Sequence, residues 1–528
     1  MTSQIVALIY IYFLSSATFL YLNFASNTFT FKKDYYVWVF SWLCVVTLAF
    51  LTHDFMLFSF VTALLVIITS NIVKNKLALY CVLMIAIPPF AAKVSVFFST
   101  SLTRELALLI LLPIFIGSGK ASFYAERPHL PKFGKLAIDH FIVLFLILKS
   151  VLYYRGLSER IDPLTTPEVI RQSIYVFLEF FLPYYVASRY IKDFEALKKV
   201  LFALMVAGMV AGSIAIFELG RSWLLFGELH KFLQISDWGQ SIYIGRSNAI
   251  RATSSLEHPL VLGFIMLITI GIYLFISRFY TSKLLFLGGL LILVGGIVAP
   301  LSRGPWMGAF LMLTIFFGMG HNKGKNFTYF MLAIIGMILV LSQTSYSEKI
   351  IDLIPFLGKE DKFNVDYRSQ LIEQSWLVIQ QYPLFGLFDP TLEPEMQKLI
   401  QGQGIIDLVN YYLELTLING IVGFILFFSA CMTLLFKLFI HLKSFTAQAS
   451  DEYICGKSLL AIFVGVLLAI STTSGLSLIN TTLYLLFGII VSYIRVTKNV
   501  NEVEHTATNG ENETHREYPT TRVVRSIV

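Results

Sequence analysis

Long apolar runs separated by short polar breaks occupy most of the chain. Runs able to cross a bilayer core of about 30 Å as helices recur near 4–24, 35–52, 54–72, 77–98, 102–118, 137–153, 172–190, 199–219, 259–277, 284–300, 305–320, 326–344, 419–438, 458–475 and 479–495. Apolar and polar positions do not alternate strictly within them, which excludes a β-barrel. In lipid, backbone polar groups must then be satisfied inside helices. The expected fold is all-α: a polytopic integral membrane protein of roughly 12–15 transmembrane helices, with one large loop carrying amphipathic helices. The first run, Ile5 to Tyr21, has neither a basic flank nor a small-residue cleavage site, so it reads as a retained helix.

Composition agrees with the pattern. The chain is 56% hydrophobic and 14% charged over 528 residues, whereas soluble domains are nearer about 45–50% and 25%. Its net charge of +7 does not point to nucleic acid, because the basic residues are scattered over short loops. One alternating set of loops is basic, with Lys120, Arg127, Arg189, Lys192, Arg278, Lys283, Lys323 and Lys443 among its members. The positive-inside rule makes that set cytoplasmic and leaves 154–171, 220–258, the 299–305 bend and 345–408 outside. Arg495 and Lys498 put the C-terminus inside. The expected divisions are N-terminal helices over 1–190, middle helices over 191–344, the large outer loop over 345–408, an interfacial helix and last spans over 409–496, and a disordered tail over 497–528. Cys44, Cys81, Cys431 and Cys455 form no C-x-x-C pair and indicate neither zinc nor a disulfide.

Candidate chemistry lies on the outer face. In "APLSRGPWMG", Pro300 ends one helix, Ser302 can cap the next, Gly304 allows a tight bend and Pro305 suits a first helical position. Helix-start amides beside Arg303 make an anion site; the plainer reading is an arginine snorkelling to the interface. Arg246, Arg251 and His258 precede the span that opens at Pro259. In "DYRSQLIEQSWLVIQQYPLFG", Leu371, Ile372, Trp376 and Ile379 share a helical face, and Arg368 falls in the first turn, with Asp366 or an external anion as its partner. In "IIDLVNYYLELTLINGIVGFILFF", Asn419-Gly420 breaks a run too long for one span, and Asn410 and Glu414 lie four apart before the break. Acidic residues outnumber basic ones over 345–408, so any phosphate must be held by specific arginines through bidentate contacts.

The sequence "SRGPWMG", a large loop with "R-x-x-L…PLFG", then "N-x-Y-L-E…NGIVGFILF" resembles the O-antigen ligase/polymerase superfamily over about 190–440, and "RATSSLEHPLVLG" is similar to that superfamily's segment before a middle span. The resemblance implies a metal-independent, cofactor-free, inverting glycosyltransferase of the bacterial inner membrane. It would work at the periplasmic face, moving glycan from undecaprenyl diphosphate to an acceptor hydroxyl on a glycan or lipid. Arg303, Arg368 and Arg251 would hold the diphosphate, supported by Ser302, Gly304 and Asn410. A flippase and chain-length regulators are further partners it implies; nucleic acid is not. Ligases of this superfamily carry histidine where this chain has Val409, which shifts the expectation towards polymerisation of O-antigen, capsule or exopolysaccharide units. Glu414, then His258, are the substitute bases. The alternatives are an O-antigen ligase, a protein O-oligosaccharyltransferase, or a lipid-linked oligosaccharide flippase, the last prompted by Lys93, His140, Lys149 and Glu179 in or near spans.

Overall fold

The structure is a computed structural model. It describes residues 2–25, 32–90, 92–95, 98–120, 134, 136–159, 163–235, 245–246, 249–256, 258–280, 282–320, 323–342, 361–401 and 404–514. Helices α1 (Thr2–Ala25), α2 (Lys32–Leu51) and α3 (Phe55–Ile72) follow the first three expected runs. The break between the last two is real: His53 adopts a left-handed φ of 53°, and the Asp54 carboxylate caps Leu57 N–H at 2.7 Å.

The fourth expected run is corrected. Helix α4 (Lys76–Leu83) stops after two turns, and a two-stranded antiparallel pair, β1 (Ala92–Ser95) and β2 (Phe98–Thr100), follows. Pro88-Pro89 cannot extend a helix. The residues from Leu77 to Phe90 are nonetheless buried or nearly so. Freed backbone groups at that depth need side-chain partners, and the Ser255 hydroxyl donates to Ile85 C=O at 2.5 Å.

The bundle continues with α5 (102–120), α6 (Ala137–Leu152), α7 (166–190), α8 (Phe194–Arg221), α9 (Pro259–Ile276), α10 (Lys283–Val298), α11 (Arg303–Gly318) and α12 (Lys323–Ser342). After it come α13 (Asp361–Gln381), α14 (Tyr411–Lys443), α15 (Asp451–Ile470) and α16 (Ser477–Thr514). Helices α5 and α7 each contain a π turn, at Ala107–Leu111 and Phe177–Phe181. Nine of the described helices are long and apolar enough to cross a membrane, and Lys283–Val298 is a shorter apolar one. This is a multi-pass, all-α membrane protein. Small residues let the central helices touch: a Cβ on Gly308 would lie 2.6 Å from Gly465 C=O, and one on Gly263 would lie 2.6 Å from the Pro305 ring.

Helix α16 is continuous to Thr514, past the start at 497 of the expected tail. A nucleated span propagates into its polar extension at one hydrogen bond per residue. Residues 515–528 lie outside the described residues.

Candidate functional site

One end of the bundle gathers the sequence's candidates. Arg251 is tied to the α10–α11 bend: its Nε donates to Pro300 C=O at 3.0 Å and its Nη2 to Ser302 Oγ at 2.7 Å. Ala252 N–H donates to Ala299 C=O at 3.1 Å. Behind this loop lies the fully buried Glu218, whose carboxylate accepts from the backbone of Leu225, Thr253 and Ser254 at 2.9, 3.0 and 2.7 Å. A carboxylate buried at the end of α8 thus fixes the backbone that presents Arg251.

The bend itself differs from its expected chemistry. Ser302 stands at the cap position of α11 but makes no capping bond; its hydroxyl donates to Pro300 C=O at 3.1 Å and accepts from Arg251. The left-handed residue is Leu301, with φ 48°, not Gly304. Gly304 lies inside the first helical turn, where a Cβ would fall 1.8 Å from Thr472 Oγ1. Its lack of a side chain lets the start of α11 lie against the α15–α16 turn. Arg303, the first helical residue, adds a guanidinium to the amides of the helix start.

Arg368 also moves relative to its expected setting. Helix α13 begins at Asp361, so Arg368 stands in its third turn, and the dipole argument no longer applies. The buried face is Leu371, Ser375, Val378 and Ile379; Ile372 and Trp376 are exposed. This face packs with Met396, Leu399 and Leu417 into a small apolar core, and Val409 lies against it. Val409, the position at which the resemblance implies a histidine in ligases, therefore does a packing task. Tyr367 ties α13 to the same segment: its hydroxyl donates to Asp407 C=O and accepts from Asp407 N–H, both at 3.0 Å.

Asp407 joins the arginines. Burial lifts its carboxyl above the ordinary carboxylate range, against the opposing pull of Arg368 and Arg251. The charges of two arginines 117 positions apart thus both act on one carboxylate, while Arg251 also grips the residue next to Arg303. Asp407 was not among the sequence's candidates. Nothing in local pattern singles it out from the loop's other acids.

His258 and Asn410 are helix caps here. His258 Nδ1 accepts from Leu260 N–H at 3.1 Å, and burial together with the Arg251 charge pushes its pKa down to about 3. A neutral imidazole with one nitrogen already engaged is a poor base at neutral pH. Asn410 Oδ1 accepts from Tyr412 and Leu413 N–H at 3.0 and 3.2 Å and starts α14. Glu414 is half-buried on the next turn. Its Oε2 accepts from Gly475 N–H at 2.6 Å, and its charge lies within reach of Asp407 and Lys149.

The expected break in α14 is present at Gly420, with φ 69° and ψ −177°. A side chain there would meet Leu384 C=O at 2.1 Å. The "PLFG" loop runs across this kink: Leu387 N–H donates to Leu417 C=O and Ile421 N–H to Pro383 C=O, each at 2.8 Å. Arg155, another residue the sequence reading passed over, clamps both sides by donating to Gly386 C=O and, at 2.8 Å, to Ile418 C=O. Among the described residues, no group of three or more His, Cys, Asp or Glu could hold a metal ion.

Fold and site define a multi-pass membrane protein with an arginine cluster at one end of its helices. Residues 288–428 match the family model described as O-antigen ligase. That match supports the O-antigen ligase/polymerase superfamily and, broadly, its type of glycosyl transfer. It spans Arg303, Arg368, Asp407, Asn410 and Glu414, and leaves Arg251 and His258 outside. No curated protein matches the chain.

Proposed function

We propose that the protein transfers a glycan from a polyprenyl diphosphate, undecaprenyl diphosphate in a bacterial inner membrane, to an acceptor hydroxyl at the periplasmic face, with its C-terminus in the cytoplasm. The observation that carries this reading is Arg251 bonded to the bend that starts the helix of Arg303, with the charges of Arg251 and Arg368 both acting on the nearby Asp407. As the sugar C1–O bond to the diphosphate breaks, the electron pair leaves with the diphosphate. Fixed guanidinium forks favour that growing charge over the ground state. The acceptor oxygen forms the new bond to C1 from the opposite side, inverting the centre, and Glu414 takes the hydroxyl proton.

The preferred product is polymer rather than glycan joined to a lipid core. Val409 sits against the apolar core where a ligase would hold its histidine, which supports this choice.

Arg303→Ala and Arg368→Ala should each abolish transfer while the protein still inserts in the membrane. Polymer of wild-type length from both variants would refute the assignment. A strain lacking the protein should accumulate single lipid-linked repeat units; accumulation of long lipid-linked polymer would turn the reading to a ligase.

A further inference from the structure

A cavity of about 270 Å³, with Glu414 in its wall, is lined by residues of α5, α6, α7, α14 and the start of α16. It is near the lower end of the range of about 300–1,000 Å³ for small-molecule sites, which suits one or two sugar rings rather than an extended chain. Its walls combine the rings of Tyr153 and Phe180, with Lys149 Nζ 5.7 and 5.6 Å from their centres, and the polar side chains of Gln172, Ser477 and Asn419. Asn419 is 2% exposed; its Nδ2 donates to Leu415 C=O at 3.1 Å, and its Oδ1 finds no donor among the described residues. A buried amide oxygen left so is costly unless a water or a ligand supplies the donor.

Each of the three cations in this lining has a carboxylate within reach, Glu179 and Glu414 from the lining itself and Glu159 from outside it. Arg104 Nε donates to Glu179 at 2.6 Å, Arg155 lies 4.0 Å from Glu159, and Lys149 interacts with Glu414. A cavity whose cations already face carboxylates does not select an anion. Hydroxyl and amide partners above aromatic faces do select a neutral, polyhydroxylated ring.

We infer that this cavity is a saccharide subsite, holding the terminal neutral ring of the acceptor with a hydroxyl turned to Glu414. This rests on the glycosyl-transfer reading, but its test does not depend on turnover.

The full chain in lipid nanodiscs is irradiated with two diazirine disaccharides, one of neutral N-acetylhexosamines and one bearing a uronic acid. Binding of undecaprenyl diphosphate is measured alongside. The neutral probe should label residues of α6 and α7 that line the cavity. Gln172→Leu and Ser477→Ala should each lower that labelling tenfold or more, with undecaprenyl diphosphate binding within twofold of wild type. Labelling elsewhere, no labelling, labelling unchanged in both variants, or tenfold preference for the uronic acid would overturn the inference. Loss of diphosphate binding in both variants would do so too, by assigning the cavity to the donor. If the wild-type chain failed to bind undecaprenyl diphosphate yet kept cavity labelling, the glycosyl-transfer reading would fail and the saccharide site would stand.

Discussion

Two ends of the bundle hold buried charge in opposite ways. Where α6 begins and α7 ends, Arg189 Nη2 donates to Asp139 Oδ2 at 2.6 Å, with side chains 6% and 0% exposed. The Tyr184 hydroxyl and Gly134 N–H donate to the same carboxylate. That assembly is closed around one acid. At the other end the charges of Arg251 and Arg368 both act on Asp407, and Arg251 holds Ser302 beside Arg303. The first pairs its arginine with an acid in direct contact; the second sets Arg251 and Arg368 within charge range of Asp407, which also feels Glu414, and under the proposed function it is this second end that receives the anion. The sharpest way to break the contrast is to remove Asp139. Asp139→Ala should destabilise the protein by about 3–5 kcal/mol, because Arg189 would remain buried without its counter-ion. Asp139→Leu with Arg189→Met should recover most of that loss. Thermal unfolding in detergent measures both, and transfer per folded molecule should stay at the wild-type level in the double variant. A double variant as unstable as the single one would show that the pair does more than neutralise itself.

The next effect concerns how the ligand-facing end is held in shape. Arg155 joins the "PLFG" loop to the kink in α14, one turn and a half beyond Glu414. Arg155→Met deprives two carbonyls of a charged donor, and such bonds contribute about 1.5–3 kcal/mol each. Hydrogen exchange should accelerate over 382–388, and transfer should fall roughly tenfold, the equivalent of about 1.4 kcal/mol in the barrier. Arg155→Lys should restore little, since one ammonium lacks the planar fork that reaches both carbonyls. Exchange rates unchanged over 382–388 would mean that the backbone bonds across the kink suffice.

These two ends also differ in how much of them the sequence disclosed. Spans were legible because burial in lipid demands long apolar runs, and breaks were legible where a residue type forces them, as at Asp54, Pro300 and Gly420. The half-helix at Lys76–Leu83 was missed because its apolar run continues past Pro88-Pro89 into a buried non-helical segment. Arg303, Arg251 and Arg368 stood out as charges beside apolar runs. The residues that hold this end in shape did not: Glu218, Arg155 and Asp407 act through backbone groups or charges tens to hundreds of positions away. His258 and Asn410 looked chemical, yet their polar atoms are engaged in starting helices. Lys149 and Glu179 were visible as ionisable residues in spans, but only the packing of α5, α6 and α7 brings them to one cavity.

Asp407 offers the smallest and most discriminating perturbation of the cationic end. If its carboxylate competes with a phosphate for Arg251 and Arg368, Asp407→Asn should tighten binding of inorganic pyrophosphate severalfold, because a negative charge leaves the site while the amide keeps its shape. The pH dependence follows from the direction of the Asp407 shift. Burial raises its pKa, so a falling pH protonates it earlier than an exposed aspartate and removes the competing charge. Wild-type affinity should therefore rise towards that of the variant as pH drops, and the variant, titrated in parallel, accounts for protonation of pyrophosphate itself. Weaker binding in Asp407→Asn at every pH would assign the carboxylate to aligning the guanidinium groups instead. The arginines would then need their acid in order to meet the anion, and the contrast between the two ends would narrow to the number of cations each carboxylate serves.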